Sequence, residues 1–349
     1  MPVSTLGVVI VSFNASTELL DCLESLLAAP DVSLHIVVVD NASSDDTVAD
    51  FKRWASGVQA YTPPDDLPFT LHPAAKPLDV VGAEAKAPAV PQITLIQSEV
   101  NLGFAGGVNL GLACLAANPA INRFWVLNPD SVVDPQTPHA FATYEAPEGA
   151  FSLMGGRVTY VDPPDTIQSD GGIINYRTGV TSNLNQGQKA GNALPLSEID
   201  FISGASMVAS RLFYETAGPL PEEYFLYYEE VDWALRRGEL PLVFCPEARV
   251  YHRVGSSIGS RTMTRVATPF STYFLYRARM MFLRRYAPKG LSGAWAYAVA
   301  KAAQLALKGY RAEAMALLKG SWGAAPPKDV RARLSIEAAK RAFDAPSKG

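Results

Sequence analysis

The sequence predicts an α/β fold, a Rossmann-like mixed and mainly parallel sheet flanked by helices, with an amphipathic helical extension at its C-terminal end. Three observations predict it. The runs "LGVVIVSF" (6–13) and "LHIVVVD" (34–40) are short, rich in β-branched residues and barely alternating, as strands buried on both faces of a parallel sheet read. Between them, "STELLDCLESLLAA" places Leu19, Leu20, Leu23, Leu26 and Leu27 at helical spacing. From Thr272 onward the pattern turns helical.

The first strand, helix and second strand make a strand-helix-strand unit whose crossover is expected to be right-handed. The N-terminus runs straight into that strand, with no basic region before it and no small-residue cleavage site after it, so it reads as a strand and not as a signal peptide. After Asp40, "NASSDDTVADFKRWA" opens with capping residues and continues as a second helix. Residues 58–92 break the rhythm. Seven prolines lie between Pro63 and Pro91, which reads as an irregular surface insertion, with a β-hairpin excursion as the alternative.

Regularity resumes with "QITLIQS" as a strand, "NLGFAGGVNLGLACLAA" as a glycine turn opening a helix, and "RFWVLNPDS" as a strand ending in a polar turn. "SLMGGRVTYV", "IDFISGASMVAS" and "LPLVFCPEARVYH" supply further strands, some antiparallel. In "TYFLYRARMMFLRRYAP", Arg277, Arg279, Arg284 and Arg285 alternate with large apolar residues. Over 291–320, Lys301, Gln304, Lys308 and Arg311 form a polar stripe with Val299, Ala303, Ala306 and Tyr310 opposite. Lys301 and Lys308 interrupt the apolar run. These helices are therefore expected to lie on a membrane interface, to pack on the catalytic body or to form a dimer contact, not to span a bilayer. Residues 1–257 read as one domain and 258–349 as a basic helical region.

A chain of 349 residues with 48% hydrophobic content can bury a substantial core. Its three cysteines, Cys22, Cys114 and Cys245, are far apart and include no CxxC pair, which argues against a disulfide framework or a thiolate metal site and suits a reducing cytoplasm. The net charge of −4 hides a division: residues 270–349 hold 15 Lys+Arg against four acids, a net of +11, leaving −15 for residues 1–269. A basic tail on an acidic body suits an anionic membrane or nucleic acid, with an acidic partner or a solvated face as alternatives.

In open α/β sheets, ligands bind in the crevice at the carboxyl ends of the strands. The polar residues expected there are Ser12 and Asn14, Asp40 and Asn41, and Asn128 and Asp130. A dinucleotide-dependent dehydrogenase would carry GxGxxG after its first strand, where this chain has "VSFNAS". Gly103, Gly106 and Gly107 come later, before a helix, and suit either close approach of a phosphate or ribose or tight helix-strand packing. Asp130 is a hard oxygen ligand suited to Mg²⁺ or Mn²⁺, although "NPDS" is also an ordinary turn sequence, and His252 at a strand end reads as structural or as a ligand.

The stretch "YYEEVDW" (227–233) sets three carboxylates among aromatic residues. On a helix, Glu229 and Asp232 share a face, Asp232 reaches Arg236, and Glu230 points about 100° away, towards Trp233 and Arg237. One face can be structural and the other catalytic; a solvated charge run is the alternative. Upstream, Gly204 and Ala205 are small enough to admit an acceptor, or simply to pack.

Together, "VVIVSFNASTELLDCLESL", "IVVVDNASSDDT", "NLGFAGGVNLGL", "FWVLNPDSVVD", "ISGASMVASRLFYETAGPLPEEYFLYYEEVDWALR" and "VYHRVGSS" resemble glycosyltransferase family 2, and within it the bacterial rhamnosyltransferase-like members of GT-A fold. The resemblance covers nearly all of residues 6–257. It implies that Asp40 hydrogen-bonds a nucleotide base and that Ser12 and Asn14 form the first nucleotide-contacting loop. Asn101, Gly103 and Gly107 would line the ribose and diphosphate. Asp130 would be the metal-binding last position of a DxD motif whose first position is here Asn128, and His252 would complete the metal site. Glu230 would be the general base, accepting the acceptor hydroxyl's proton as that oxygen attacks the anomeric carbon opposite the departing diphosphate.

The function so implied is inverting, metal-dependent transfer of a sugar, foremost rhamnose from a dTDP donor, to a glycan or polyprenyl-diphosphate-linked acceptor in bacterial cell-surface polysaccharide synthesis. The cofactor is Mg²⁺ or Mn²⁺. The expected place is the cytoplasm, peripheral at the inner face of the membrane, with no nucleic-acid partner and with a homodimer as an option. UDP- and GDP-sugar donors are the alternatives within the enzymes, and a non-catalytic nucleotide-sugar-binding subunit is the alternative outside them.

Overall fold

The computed structural model describes residues 4–82, 92–191, 198–253, 259 and 265–344. The expected unit opens the chain as β1 (Ser4–Ser12), α1 (Ser16–Leu27) and β2 (Val32–Asp40), and the parallel register sets Ser12 beside Asp40. Next come α2 (Thr47–Ala55), β3 (Val80–Gly82), β4 (Gln92–Gln97), α3 (Gly103–Ala116), β5 (Arg123–Leu127), β6 (Ser131–Val133) and α4 (Thr137–Thr143). Then follow β7 (Leu153–Tyr160), β8 (Ile167–Ser169), β9 (Gly172–Asn175), β10 (Val180–Asn183), β11 (Ser206–Ser210), α5 (Arg211–Ala217), α6 (Glu229–Leu235) and β12 (Val243–His252).

Ten strands form one sheet in the order β3-β4-β2-β1-β5-β11-β7-β12-β6, with β8 paired to β7. From β3 to β5 all neighbours are parallel, and β11 enters antiparallel to both β5 and β7. The low alternation of the first strands has its cause in burial on both faces. Val9, Val37, Val39 and Val126 belong to one hydrophobic core, while Val8, Ile10, Ile36 and Val38 belong to the other. Each such side chain contributes about 1.5–3 kcal/mol by leaving water.

The 58–92 stretch is irregular up to residue 79, then supplies β3, a parallel edge strand, so over its described part no hairpin forms. Residues 83–91 lie outside the described residues. Two carboxylates of α1 tie the stretch down. Glu24, with no exposure, accepts from Trp54 Nε1 at 2.7 Å, from the Ala74 amide at 2.7 Å and from Lys76 at 2.8 Å, and Asp21 accepts from Tyr61 at 2.8 Å.

The chain ends in α7 (Pro269–Tyr286), α8 (Leu291–Leu307), α9 (Arg311–Trp322), α10 (Lys328–Arg331) and α11 (Ile336–Asp344). The stripe read over 291–320 does not survive. A left-handed Gly309 (φ 89°) separates α8 from α9, and the buried face of α8 is Ala294, Ala298, Ala302 and Leu305. Val299, Ala303, Ala306 and Tyr310 are exposed. Ala298, Ala302 and Leu305 pack where α8 meets Tyr276 of α7 and Ala314 and Leu317 of α9. Among the described residues no helix is long and apolar enough to cross a membrane.

Candidate active site

Strand ends collect the first group. Asp40 closes β2, is 5% exposed, and accepts from the Ser43 amide through Oδ2 at 3.3 Å, while its Oδ1 has no partner. Burial pushes its carboxyl above the usual range. Ser12, fully buried on the adjacent strand, likewise leaves its hydroxyl without a partner. Buried polar atoms are nearly always hydrogen-bonded, and these two orphans stand on neighbouring strand ends. Asn14, in the left-handed region (φ 50°), accepts the Ser44 amide at 2.8 Å and so shapes the loop beside them.

Asn41 and Asn101 organise the entry to α3. Asn41 donates to the Gly103 carbonyl at 2.9 Å and accepts the Leu102 amide at 2.8 Å, and Asn101 accepts the Gly103 amide at 2.9 Å. Gly103 needs its glycine twice over: φ is 75°, and a Cβ would stand 2.4 Å from the Phe225 carbonyl oxygen. Gly107 has a packing reason of its own. A Cβ there would meet Val11 at 2.6 Å, so this glycine lets α3 lie close on β1.

Asn128, Asp130 and His252 converge. β6 pairs antiparallel with β12, setting Ser131 opposite His252. His252 Nε2 is 3.0 Å from Asp130 Oδ1 and 3.3 Å from Asn128 Nδ2, and both Asp130 and His252 are buried. Gln168, on β8, holds its Oε1 3.0 Å from His252 Nδ1. An amide oxygen only accepts, so Gln168 holds the ring by Nδ1 and turns Nε2 towards the Asp130 carboxylate. A carboxylate oxygen and an imidazole nitrogen held together with this support are donors suited to a divalent ion completed by diphosphate oxygens and water. Among the described residues no cluster of three His, Cys, Asp or Glu exists to hold a metal by protein ligands alone.

The loop 203–205 joins this pair to the acidic stretch. The Asn128 amide donates to the Ala205 carbonyl at 3.0 Å, and a Cβ on neighbouring Gly204 would lie 3.8 Å from both Cβ and the carboxyl carbon of Glu230. Phe104 stands 3.7 Å from the same point.

On α6 the three carboxylates separate as the helix period predicts. Asp232, fully buried, accepts from Arg236 at 2.7 Å, Arg285 at 2.8 Å and Tyr224 at 2.9 Å, and is structural. Glu229 is 2% exposed with Oε2 unpartnered, and burial, then the Glu230 charge, push its carboxyl well up. Glu230 is half-buried beside Gly204, and desolvation pushes it up to about 7. Glu229 therefore holds the proton while Glu230 ionises first, near neutral pH.

Sequence reasoning missed what sets this helix in place. Phe225, Tyr227 and Tyr228 all have positive φ (65°, 69° and 70°), a conformation that costs on the order of 1–3 kcal/mol per bulky residue. The surroundings impose it. The Phe225 carbonyl accepts from the Phe104 amide at 3.0 Å, Tyr227 Oη lies 2.5 Å from Ser271 Oγ, and Tyr228 Oη donates to the Gly179 carbonyl while accepting from Arg279 at 3.2 Å. Ser271, Arg279 and Arg285 belong to α7, so part of the basic region braces the acidic stretch. Gln168 was missed too; it lies 84 positions from His252 and carries no local signal.

Comparison with known proteins bears on this site. Residues 7–65 match the family model described as Glycosyl transferase family 2. A curated relative, the low-salt glycan biosynthesis hexosyltransferase Agl10 of Haloferax volcanii, is 21% identical over 280 residues, spanning 79% of this chain and 74% of that protein. Among solved structures, the mannosyltransferase PcManGT from Pyrobaculum calidifontis in complex with GDP-Man and Mn²⁺ is similar at a TM-score of 0.50 and 13% identity, covering 97% of this chain and 87% of that one. Residues 1–349 of S. aureus TarS in complex with UDP-GlcNAc give a TM-score of 0.49 at 12% identity, covering 97% and 88%. The mixed, mainly parallel sheet flanked by helices is thus the fold of GT-A glycosyltransferases.

Proposed function

We propose that the chain is a glycosyltransferase that binds a nucleotide-sugar donor at the strand ends and uses Glu230 as its base. The observation that carries this reading is the line of groups along one edge of the sheet: the orphaned Asp40 oxygen, the Asp130/His252 pair, and Glu230 beside Gly204. The match of residues 7–65 to a glycosyltransferase family supports it.

In this reading Asp40 accepts a hydrogen from the donor's base, and Asn101 with the start of α3 borders the ribose and diphosphate. Glu230, ionised above about pH 7, takes the proton of the acceptor hydroxyl while that oxygen bonds to the anomeric carbon. The bond from that carbon to the diphosphate breaks on the opposite face, so the sugar inverts and the nucleoside diphosphate leaves. A divalent cation held by Asp130 and His252 would neutralise charge on the departing diphosphate. The imidazole favours Mn²⁺ over Mg²⁺. Gly204 leaves room for the acceptor against Glu230.

The sequence segments favour rhamnose from dTDP-rhamnose, with UDP- and GDP-sugars as second choices. A glycan or lipid-linked glycan in cell-surface polysaccharide synthesis is the acceptor class we infer. The exposed side chains of Leu307 (90% accessible), Met315 and Trp322 lie on α8 and α9, with Lys308 just past the end of α8 and Arg311 and Lys319 on α9, which supports contact with an anionic membrane face.

Thermal melting with dTDP, UDP and GDP, each with and without Mn²⁺, tests the reading. A ligand at about 100 times its Kd stabilises by about 2.7 kcal/mol. One nucleotide is expected to shift the melting temperature, more so with metal, and to be released slowly from its sugar conjugate. No shift with any nucleotide overturns the reading; binding without turnover makes the chain a binding subunit.

A further inference from the structure

The C-terminal helices do more than brace α6. A cleft of about 600 Å³ opens at the carboxyl ends of β2 and β4, and its walls come from opposite ends of the chain. Asp40, Gln97 and Asn101 line one side, while Arg333, Leu334 and Ser335, between α10 and α11, line the other. The size falls within the range of small-ligand sites.

The position of residues 333–335 is set from both sides. Val330 in α10 is fully buried. The Arg333 guanidinium lies 4.8 Å from the centre of the Phe270 ring of α7. Ser335 Oγ accepts the Ala338 amide at 3.2 Å, which starts α11 at this point. α11 in turn is docked by buried Ala338, Ala339 and Ala342, by Phe343 stacked on Phe274, and by Arg341, which pairs at 2.9 Å with Glu222, just ahead of the strained aromatics.

We propose that this C-terminal segment is the second wall of the nucleotide site, with Arg333 and Leu334 covering the face of the donor's base whose edge meets Asp40. The inference rests on the reading above. Its chemistry is that of a planar heteroaromatic ring. The Asp40 Oδ1, buried and without a partner, awaits an N–H donor, which the imide of uracil or thymine and the amide edge of guanine both have. Across the cleft stand an aliphatic side chain and a guanidinium, and these are the groups that stack on such rings. Donor binding and the docking of α11 are then one equilibrium: a bound base holds the segment down, and a released segment opens the site.

The test is calorimetric titration of the full chain with UDP, dTDP and GDP, and with the corresponding monophosphates, using Arg333→Ala, Leu334→Ala and, as a control of equal charge change, Arg331→Ala. For whichever nucleotide binds the wild type, Arg333→Ala is expected to weaken Kd about tenfold and Leu334→Ala several-fold. The loss should be equal for diphosphate and monophosphate, with Arg331→Ala within twofold of wild type. Wild-type Kd values in both cleft variants overturn the inference while leaving the donor site intact. A loss confined to the diphosphate overturns the assignment to the base. A wild type that binds none of the six nucleotides overturns the donor-site reading itself.

Discussion

Gln168 Oε1 sits 3.0 Å from Nδ1 of His252, and that contact decides which ring nitrogen faces Asp130. With Nδ1 held by the amide, Nε2 is the atom that would meet the proposed cation beside Asp130. Removing the acceptor frees the ring to turn and to take the other tautomer. Gln168→Ala is therefore expected to weaken Mn²⁺ binding in the presence of nucleotide by about tenfold, within the 10–100-fold cost of losing a partner that orients a ligand. Gln168→Glu, which keeps an acceptor there, should bind Mn²⁺ nearly as the wild type does. Paramagnetic titration of bound Mn²⁺ reads both; equal affinity in wild type and Gln168→Ala would remove Gln168 from the site.

Glu230 is expected to lose its function when it can no longer take a proton. Glu230→Gln should lower kcat for transfer by about 10²–10⁴-fold and leave the Kd of the donor nucleotide within twofold, because in the proposed reading the side chain meets the acceptor and not the base. The wild-type rate should rise with pH through about 7 as the carboxyl ionises. A flat profile from pH 5 to 9, or full transfer by Glu230→Gln, would assign the base elsewhere.

Asp232 answers differently, since Arg236, Arg285 and Tyr224 all spend a hydrogen bond on it. Asp232→Ala leaves the buried Tyr224 hydroxyl without its acceptor and takes one partner from each of two partly exposed guanidinium groups, of which Arg285 keeps Glu223. The expected loss is about 2–3 kcal/mol of stability, below the full cost of a wholly buried broken pair because both arginines keep contact with water. Denaturant melts measure it, and a change under about 0.5 kcal/mol, the size of an ordinary surface substitution, would contradict the structural role.

How much of this was legible follows from the distance over which each feature is specified. The strand ends were legible because apolar runs stop abruptly at Ser12, Asp40 and Leu127, with polar residues following them. The separation of Asp232 from Glu230 followed from the helix period alone. Gln168, the left-handed run at Phe225, Tyr227 and Tyr228, and the reach of Arg333 into the cleft are tertiary effects with no periodic signature. The misread face of α8 is different. Gly309 was visible as a helix breaker, and treating 291–320 as one helix carried the stripe across a turn.

Glu229 gives the clearest pH signature in stability. Its folded carboxyl is raised well above the ordinary range by burial and by the Glu230 charge, and Glu230 is raised with it. In the unfolded chain both ionise near pH 4.3. Above that pH the folded state binds more protons than the unfolded state, so stability falls as pH rises, starting near the unfolded value and continuing through the folded ones. The melting temperature is therefore expected to drop between pH 5 and 8. Glu229→Gln removes the more deeply buried of the two titrations. It should flatten that slope and melt above the wild type at pH 8, and it should leave the midpoint of the rate profile near its wild-type value, because Glu229 is neutral while Glu230 ionises. A Glu229→Gln variant with the wild-type slope of stability against pH would show that Glu229 does not change protonation on unfolding.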